Sequence, residues 1–184
     1  LNRTDVLTDQ REDYYLERVR EFGPRYSGFD LATSESVVGI AFTYDVLHQC
    51  VAKYMAEYGL SKSTFNVLML LRHGPPEGMQ LHDLGEMLLV SRANVTGLID
   101  HLEEKGYVTR EVDEQDRRAR YAKVTRKAEI LLDEFIPVHY RNIKSLMNEL
   151  SSAEKIQLIG LLTKVRASIK ENAVVCERQA EAKL

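Results

Sequence analysis

Two cysteines, Cys50 and Cys176, are all the thiol chemistry in 184 residues, and no CxxC pair occurs. That rules out a disulfide framework. No apolar run is long enough to span a membrane and nothing resembles a signal peptide, so the expected location is the cytoplasm, with no membrane partner. A phosphate-cradling glycine loop, HExxH and GxSxG are all missing, which removes the motif-borne routes to an enzyme. No catalytic residue is expected. His48 and Cys50 stand two apart, on different helix faces, and His73, His82, His101 and His139 form no i,i+4 pair. Neither a metal site nor a cofactor is expected. There is no net positive charge, the formal sum being −3, which argues against a generally sticky nucleic-acid binder.

The distribution of charge says more than its sum. Residues 110 to 127 carry seven basic and four acidic side chains, a local patch on an otherwise acidic chain. Such a patch fits a focused phosphate contact rather than a diffuse one. Just upstream, Val95, Leu98, Ile99 and Leu102 recur at i, i+3, i+4 and i+7, which predicts an amphipathic helix over 91–105. Ser91 suits its N-cap and Gly106 follows its end. Ala93, Gly97 and Asp100 share the opposite face, so something can approach the backbone there. Arg92, Asn94 and Thr96 can donate hydrogen bonds to base edges or phosphates. A short stripe of Leu81, Leu84 and Leu88 precedes this helix, predicting helix, tight turn, helix. The strand-like stretches YVTREV and RARYAKV follow it, around the polar tip Asp113 to Arg117.

Elsewhere the chain is helical. Residues 9 to 22 suit a helix ended by Gly23-Pro24. A long helix over 34–58, capped by Thr33 or Ser34, has two apolar edges (Val37, Ile40, Tyr44 and Leu47; Val38, Phe42 and Val46), and so needs two surfaces to bury against. One of those could be a partner subunit. Ser61 caps the next helix, and Pro75-Pro76 ends it in a GPPEG turn. Thr125 caps a helix reaching about Leu150, with Pro137 expected to kink it. Ser151 with Glu154 is a capping box that starts a last helix to about Asn172.

The ordered set LSKSTF (60–65), LGEML (84–88), Val95-Thr96 with Leu98-Ile99-Asp100, LEEKG (102–106), Asp116-Arg117-Arg118 and Val124-Thr125 resembles the MarR family of transcription regulators. The resemblance spans roughly residues 35 to 172. It implies a mainly α fold: a winged helix-turn-helix over 61–126 with a two-stranded wing, an extension over 1–33, and dimerisation helices over 34–58 and 127–172. It also implies a homodimer that binds double-stranded DNA, expected to be a repressor on a pseudo-palindromic operator. Ser91, Arg92, Asn94, Val95 and Thr96 would enter the major groove. Arg118 would reach the minor groove, Arg117 would contact DNA beside it, and Asp116 would orient the wing. The alternative from the same residues is a degenerate winged helix acting as a protein-protein adaptor.

The family implies a small-molecule effector too, held between the dimer helices and the DNA-binding lobe. The matching residues are Tyr44, His48, Phe65, Asn66 and Arg110. An aromatic wall, a neutral amide and one cation suit a planar aromatic anion. The extension and the PPEG turn are similar to the family's urate-responsive branch, whose ligand residues are mostly replaced here. The turn before Ser91 usually carries a glycine in the family; here it is Leu89.

Overall fold

The computed structural model describes residues 10–112 and 120–181. The chain divides into two compact units, Leu1–Leu131 and Leu132–Leu184.

The first unit opens with α1 (Gln10–Phe22) and a 3-10 turn at Gly23–Arg25, as the Gly-Pro pair predicts. The helix α1 lies on α2 (Leu31–Glu57): the rings of Tyr15 and Phe42 are 5.9 Å apart, and Arg20 Nε donates to Glu35 at 2.5 Å. Residues 10–22 of the extension thus form a helix packed on α2. The start of α2 differs from expectation. Its N-cap is Asp30, whose carboxylate accepts from the Thr33 amide at 2.7 Å, while the Ser34 hydroxyl donates back to the Asp30 carbonyl. A carboxylate accepts strongly from an orphan amide, and hydrogen bonds from the Thr33 hydroxyl and amide hold the Asp30 carboxyl below its ordinary range.

The next helix, α3 (Lys62–His73), is capped by Ser61 as predicted, with Thr64 as the reciprocal partner: each side chain accepts from the other's amide. It carries much of the core through Phe65, Val67, Leu68 and Leu71. The GPPEG turn closes with the Gly78 amide donating to the Pro75 carbonyl at 2.9 Å. Gly78 has φ +95°, and a Cβ there would meet the Ala122 carbonyl oxygen at 2.5 Å, so only glycine fits.

This close approach creates a strand that the sequence reading did not include. β1 (Met79–Gln80) pairs antiparallel with β3 (Arg120–Val124), which in turn pairs with β2 (Val108–Val112). The expected two-stranded wing is therefore part of a three-stranded sheet, ordered β1-β3-β2. Its register sets Met79 and Arg110 opposite Ala122, and Gln80 Nε2 donates to the Tyr121 hydroxyl at 3.1 Å. Two residues with neither alternation nor β-branching leave no periodic signal; the pairing is set by the turn before them.

The helices α4 (Leu81–Leu88) and α5 (Arg92–Glu104) follow as the predicted pair. Gly85 sits at their crossing, where a Cβ would press to 3.3 Å from Val95. Thr125 begins α6 (Arg126–Leu146), its hydroxyl accepting from the Ala128 amide and donating to the Gly106 carbonyl. The helix runs through Pro137 and stops short of the expected Leu150. Most of α6 lies in the second unit, where Leu132 and Phe135 are fully buried. The last helix, α7 (Ser152–Glu181), starts at the predicted capping box: the Glu154 carboxylate accepts from the Ser151 amide at 2.8 Å. It continues nine residues past Asn172.

Candidate nucleic-acid interface

The helix α5 separates two kinds of residue. Val95, Ile99 and Leu102 are fully buried and fix its position on α3 and α4, while Ala93, Asn94, Thr96, Gly97 and Asp100 face outward. Val95 is therefore a core residue. Its place among the DNA contacts is corrected: a side chain at 0% exposure under Gly85 cannot reach a base edge.

Ser91 starts α5 in extended conformation, and its Oγ accepts from the Asn94 amide at 3.4 Å. That use leaves the hydroxyl hydrogen available to a phosphate. A Cβ built at Gly97 would have no neighbour within 4 Å, so this stretch of helix backbone is open. The N-terminal turn also presents amides and the positive end of the helix dipole, which suit an anionic backbone. The side chain of Arg92, and the whole of Asp116, Arg117 and Arg118, lie outside the described residues.

The far end of α5 is fixed by cations on carbonyls. The Lys105 ammonium donates to the Gly59 carbonyl at 3.0 Å, tying the end of α5 to the end of α2. The Lys127 ammonium donates to the Lys105 carbonyl at 2.7 Å and lies over the Tyr107 ring. Both lysines complement helix C-termini, where carbonyls have no intrahelical partner. The end of α5 is thereby joined by one direct bond to the end of α2 and by another to the start of α6.

These features describe a helix-turn-helix with a sheet beside it. The MarR family model matches residues 58–119. Among curated proteins, the HTH-type transcriptional regulator YkoM of Bacillus subtilis is 40% identical over 108 residues, covering 59% of this chain and 69% of YkoM. The chain belongs to the MarR family. The transcriptional repressor YetL, also of Bacillus subtilis, is 26% identical over 146 residues, with 79% of this chain and 87% of YetL covered. The solved MepR–DNA complex of S. aureus matches with a TM-score of 0.64 at 22% identity, over 72% of this chain and 96% of MepR. The relatives are transcription regulators, not enzymes.

Of the residues expected to hold an effector, Tyr44 and His48 come together on α2, while Phe65, Asn66 and Arg110 are placed in other surroundings in this MarR-family chain. The Tyr44 and His48 rings stack at 5.7 Å on α2, with the Lys62 ammonium over Tyr44. Phe65 belongs to the core. Asn66 lines a cavity that none of the other four reaches. Arg110 is corrected most sharply. Its guanidinium donates to Glu103 at 2.6 Å, to Asp100, and to the Thr96 carbonyl at 3.4 Å, with only 18% of the side chain exposed. Two carboxylates already neutralise it, so it is no free cation for an anionic ligand. The signal was present in the sequence: Asp100 and Glu103 stand three apart on one helix face, and a strand that returns beside the helix brings Arg110 to them.

Proposed function

We propose that this MarR-family chain is a homodimeric transcription regulator, expected to be a repressor, that places α5 in the major groove of a pseudo-palindromic operator and releases it on binding a small molecule. The observation that carries the reading is the open face of α5. Val95, Ile99 and Leu102 of its apolar stripe are buried in the core, with Leu98 half-buried beside them, and its other side presents Asn94, Thr96 and an unobstructed Gly97. Ser91 and the Arg92 side chain would meet phosphates or base edges at the start of α5, while Arg117 and Arg118, oriented by Asp116, would serve the flanking minor groove. Dimerisation is supported by apolar surface in each unit. Val37, Ile40, Tyr44 and Val46 are exposed on α2, and Ile156, Ile159, Leu161 and Ile169 on α7. Stripes of this extent mark an interface. Among the described residues no helix is long and apolar enough to cross a membrane.

In vitro selection of bound DNA, followed by sedimentation of the complex, tests this. The expected result is a two-fold motif with half-sites about one helical turn apart, bound by two chains. Deleting residues 152–184 should abolish both dimer and binding. Selection that enriches no motif would leave the protein-protein adaptor as the surviving reading.

A further inference from the structure

A cavity of about 470 Å³ opens between α3, β1 and α4, within the usual size range of small-molecule sites, roughly 300–1,000 Å³. We infer that this cavity, rather than the cleft around Arg110, is the effector site, and that it takes a neutral, ring-bearing molecule. The inference rests on the effector part of the reading above and is independent of the DNA part.

The lining carries the argument. It includes Met69, Leu70, Met79 and Met87, with the Asn66 amide and the His73 imidazole as polar groups, and no Asp, Glu, Lys or Arg. A charged ligand would find no carboxylate, ammonium or guanidinium partner in this half-exposed lining, whereas a neutral ring would cover its thioethers, so the lining favours neutral ligands. Three of the chain's five methionines stand on this one cavity, contributed by three different elements. A thioether on three rotatable bonds adapts to irregular shapes and contacts aromatic ring edges favourably. Met87 is 62% exposed, an apolar side chain with little cover of its own. Met79 is held by the turn before it: a Cβ on Gly74 would lie 3.0 Å from its sulfur, so glycine leaves that thioether its place.

The position gives such a ligand leverage. Met87 and Leu88 form the last turn of α4 and both line the cavity. Leu89 follows in a left-handed conformation, and Ser91 then caps α5. A ring wedged between α3 and α4 pushes on that turn and shifts the start of the recognition helix, where Asn94 and Thr96 are presented.

The full chain carrying ¹³C-methyl methionine, titrated with 2-naphthol and with 2-naphthoate, tests the inference. With 2-naphthol the Met69, Met79 and Met87 signals should move while those of Met55 and Met147 stay. The carboxylate should bind at least tenfold more weakly. Leu70→Trp, which fills the cavity, should abolish the shifts. If that variant does not fold, Met87→Trp at the exposed rim tests the same point. No movement of the three signals, equal movement of all five, or tighter binding of 2-naphthoate would overturn the assignment. Operator retention measured without either compound reports separately on DNA binding, so a chain that holds DNA but shows no shift sinks the cavity alone.

Discussion

Arg110 on β2 donates to Glu103 on α5 at 2.6 Å, and the same guanidinium reaches Asp100 and the Thr96 carbonyl one and two turns back. One side chain fastens the wing strand along the recognition helix. Removing it costs these charge-assisted bonds and leaves two carboxylates facing the side where phosphates would lie. Arg110→Ala should lower stability by about 1–2 kcal/mol, since the half-exposed acids can rehydrate. It should weaken DNA binding by more than tenfold. Arg110→Lys restores charge without the fork and should recover only part of either loss. Urea unfolding and operator titration read the two effects. Full affinity in Arg110→Ala would show that the wing and helix need no fastening.

Leu89 holds the place at the end of α4 that Gly59 and Gly106 hold at the ends of α2 and α5. In all three, paired backbone bonds close the helix around a left-handed residue, with φ of 65°, 54° and 72° at Gly59, Leu89 and Gly106. A leucine there meets steric strain that glycine avoids, about 1–2 kcal/mol, partly offset by glycine's greater freedom when unfolded. Its side chain is 92% exposed, so no burial is lost on replacement. Leu89→Gly should therefore stabilise the protein by about 0.5–1 kcal/mol, and Leu89→Val should destabilise it. Chemical denaturation of the two variants decides; a loss in Leu89→Gly would mean that leucine makes a contact in solution.

Local chemistry was legible in the sequence and long-range approach was not. Ser61, Ser91 and Ser151 all cap the helices they were expected to cap, because capping depends on residues three apart. The stripe of Val95, Ile99 and Leu102 named the core of α5 for the same reason. By contrast, β1 exists because Gly78 lets two distant backbones meet, and Arg110 pairs with acids seven and ten residues back only once β2 returns beside α5. The surroundings of Arg110 were hidden on the same ground. A family position names a residue type, whereas Arg110's neighbours decide whether its charge is free.

At the start of α7, hydrogen bonds from the Ser151 hydroxyl and amide hold the Glu154 carboxyl below its ordinary pKa of 4.5. A carboxyl whose folded pKa is depressed contributes stability that is complete above the unfolded value and lost as pH falls through the folded one. Wild type should thus exceed Glu154→Gln in melting temperature by a constant margin near neutral pH, and the margin should close below about pH 4.5. Thermal melts of both chains across pH 3 to 7 check this. A margin that persists at pH 3 would show that shape rather than charge makes the cap.

Gly97 separates the needs of the fold from those of the partner. Glycine inside a helix costs roughly 1 kcal/mol relative to alanine, and among the described residues nothing beyond the adjoining helix backbone stands within 4 Å of where a Cβ would be. Backbone conformation does not call for it: α5 is regular helix through this point, and Gly97 is not among the residues with positive φ. On the proposed reading, the missing side chain serves the face of α5 that would meet DNA. A missing side chain would let the helix backbone sit close to the groove, where Asn94 and Thr96 would reach base edges. Gly97→Ala should accordingly raise stability by up to about 1 kcal/mol while lowering operator affinity. Gly97→Leu should weaken binding further, with little effect on stability. Denaturation and DNA titration of the same preparations separate the two quantities. Unchanged affinity in Gly97→Leu would place the DNA, or whatever α5 binds, away from this part of the helix.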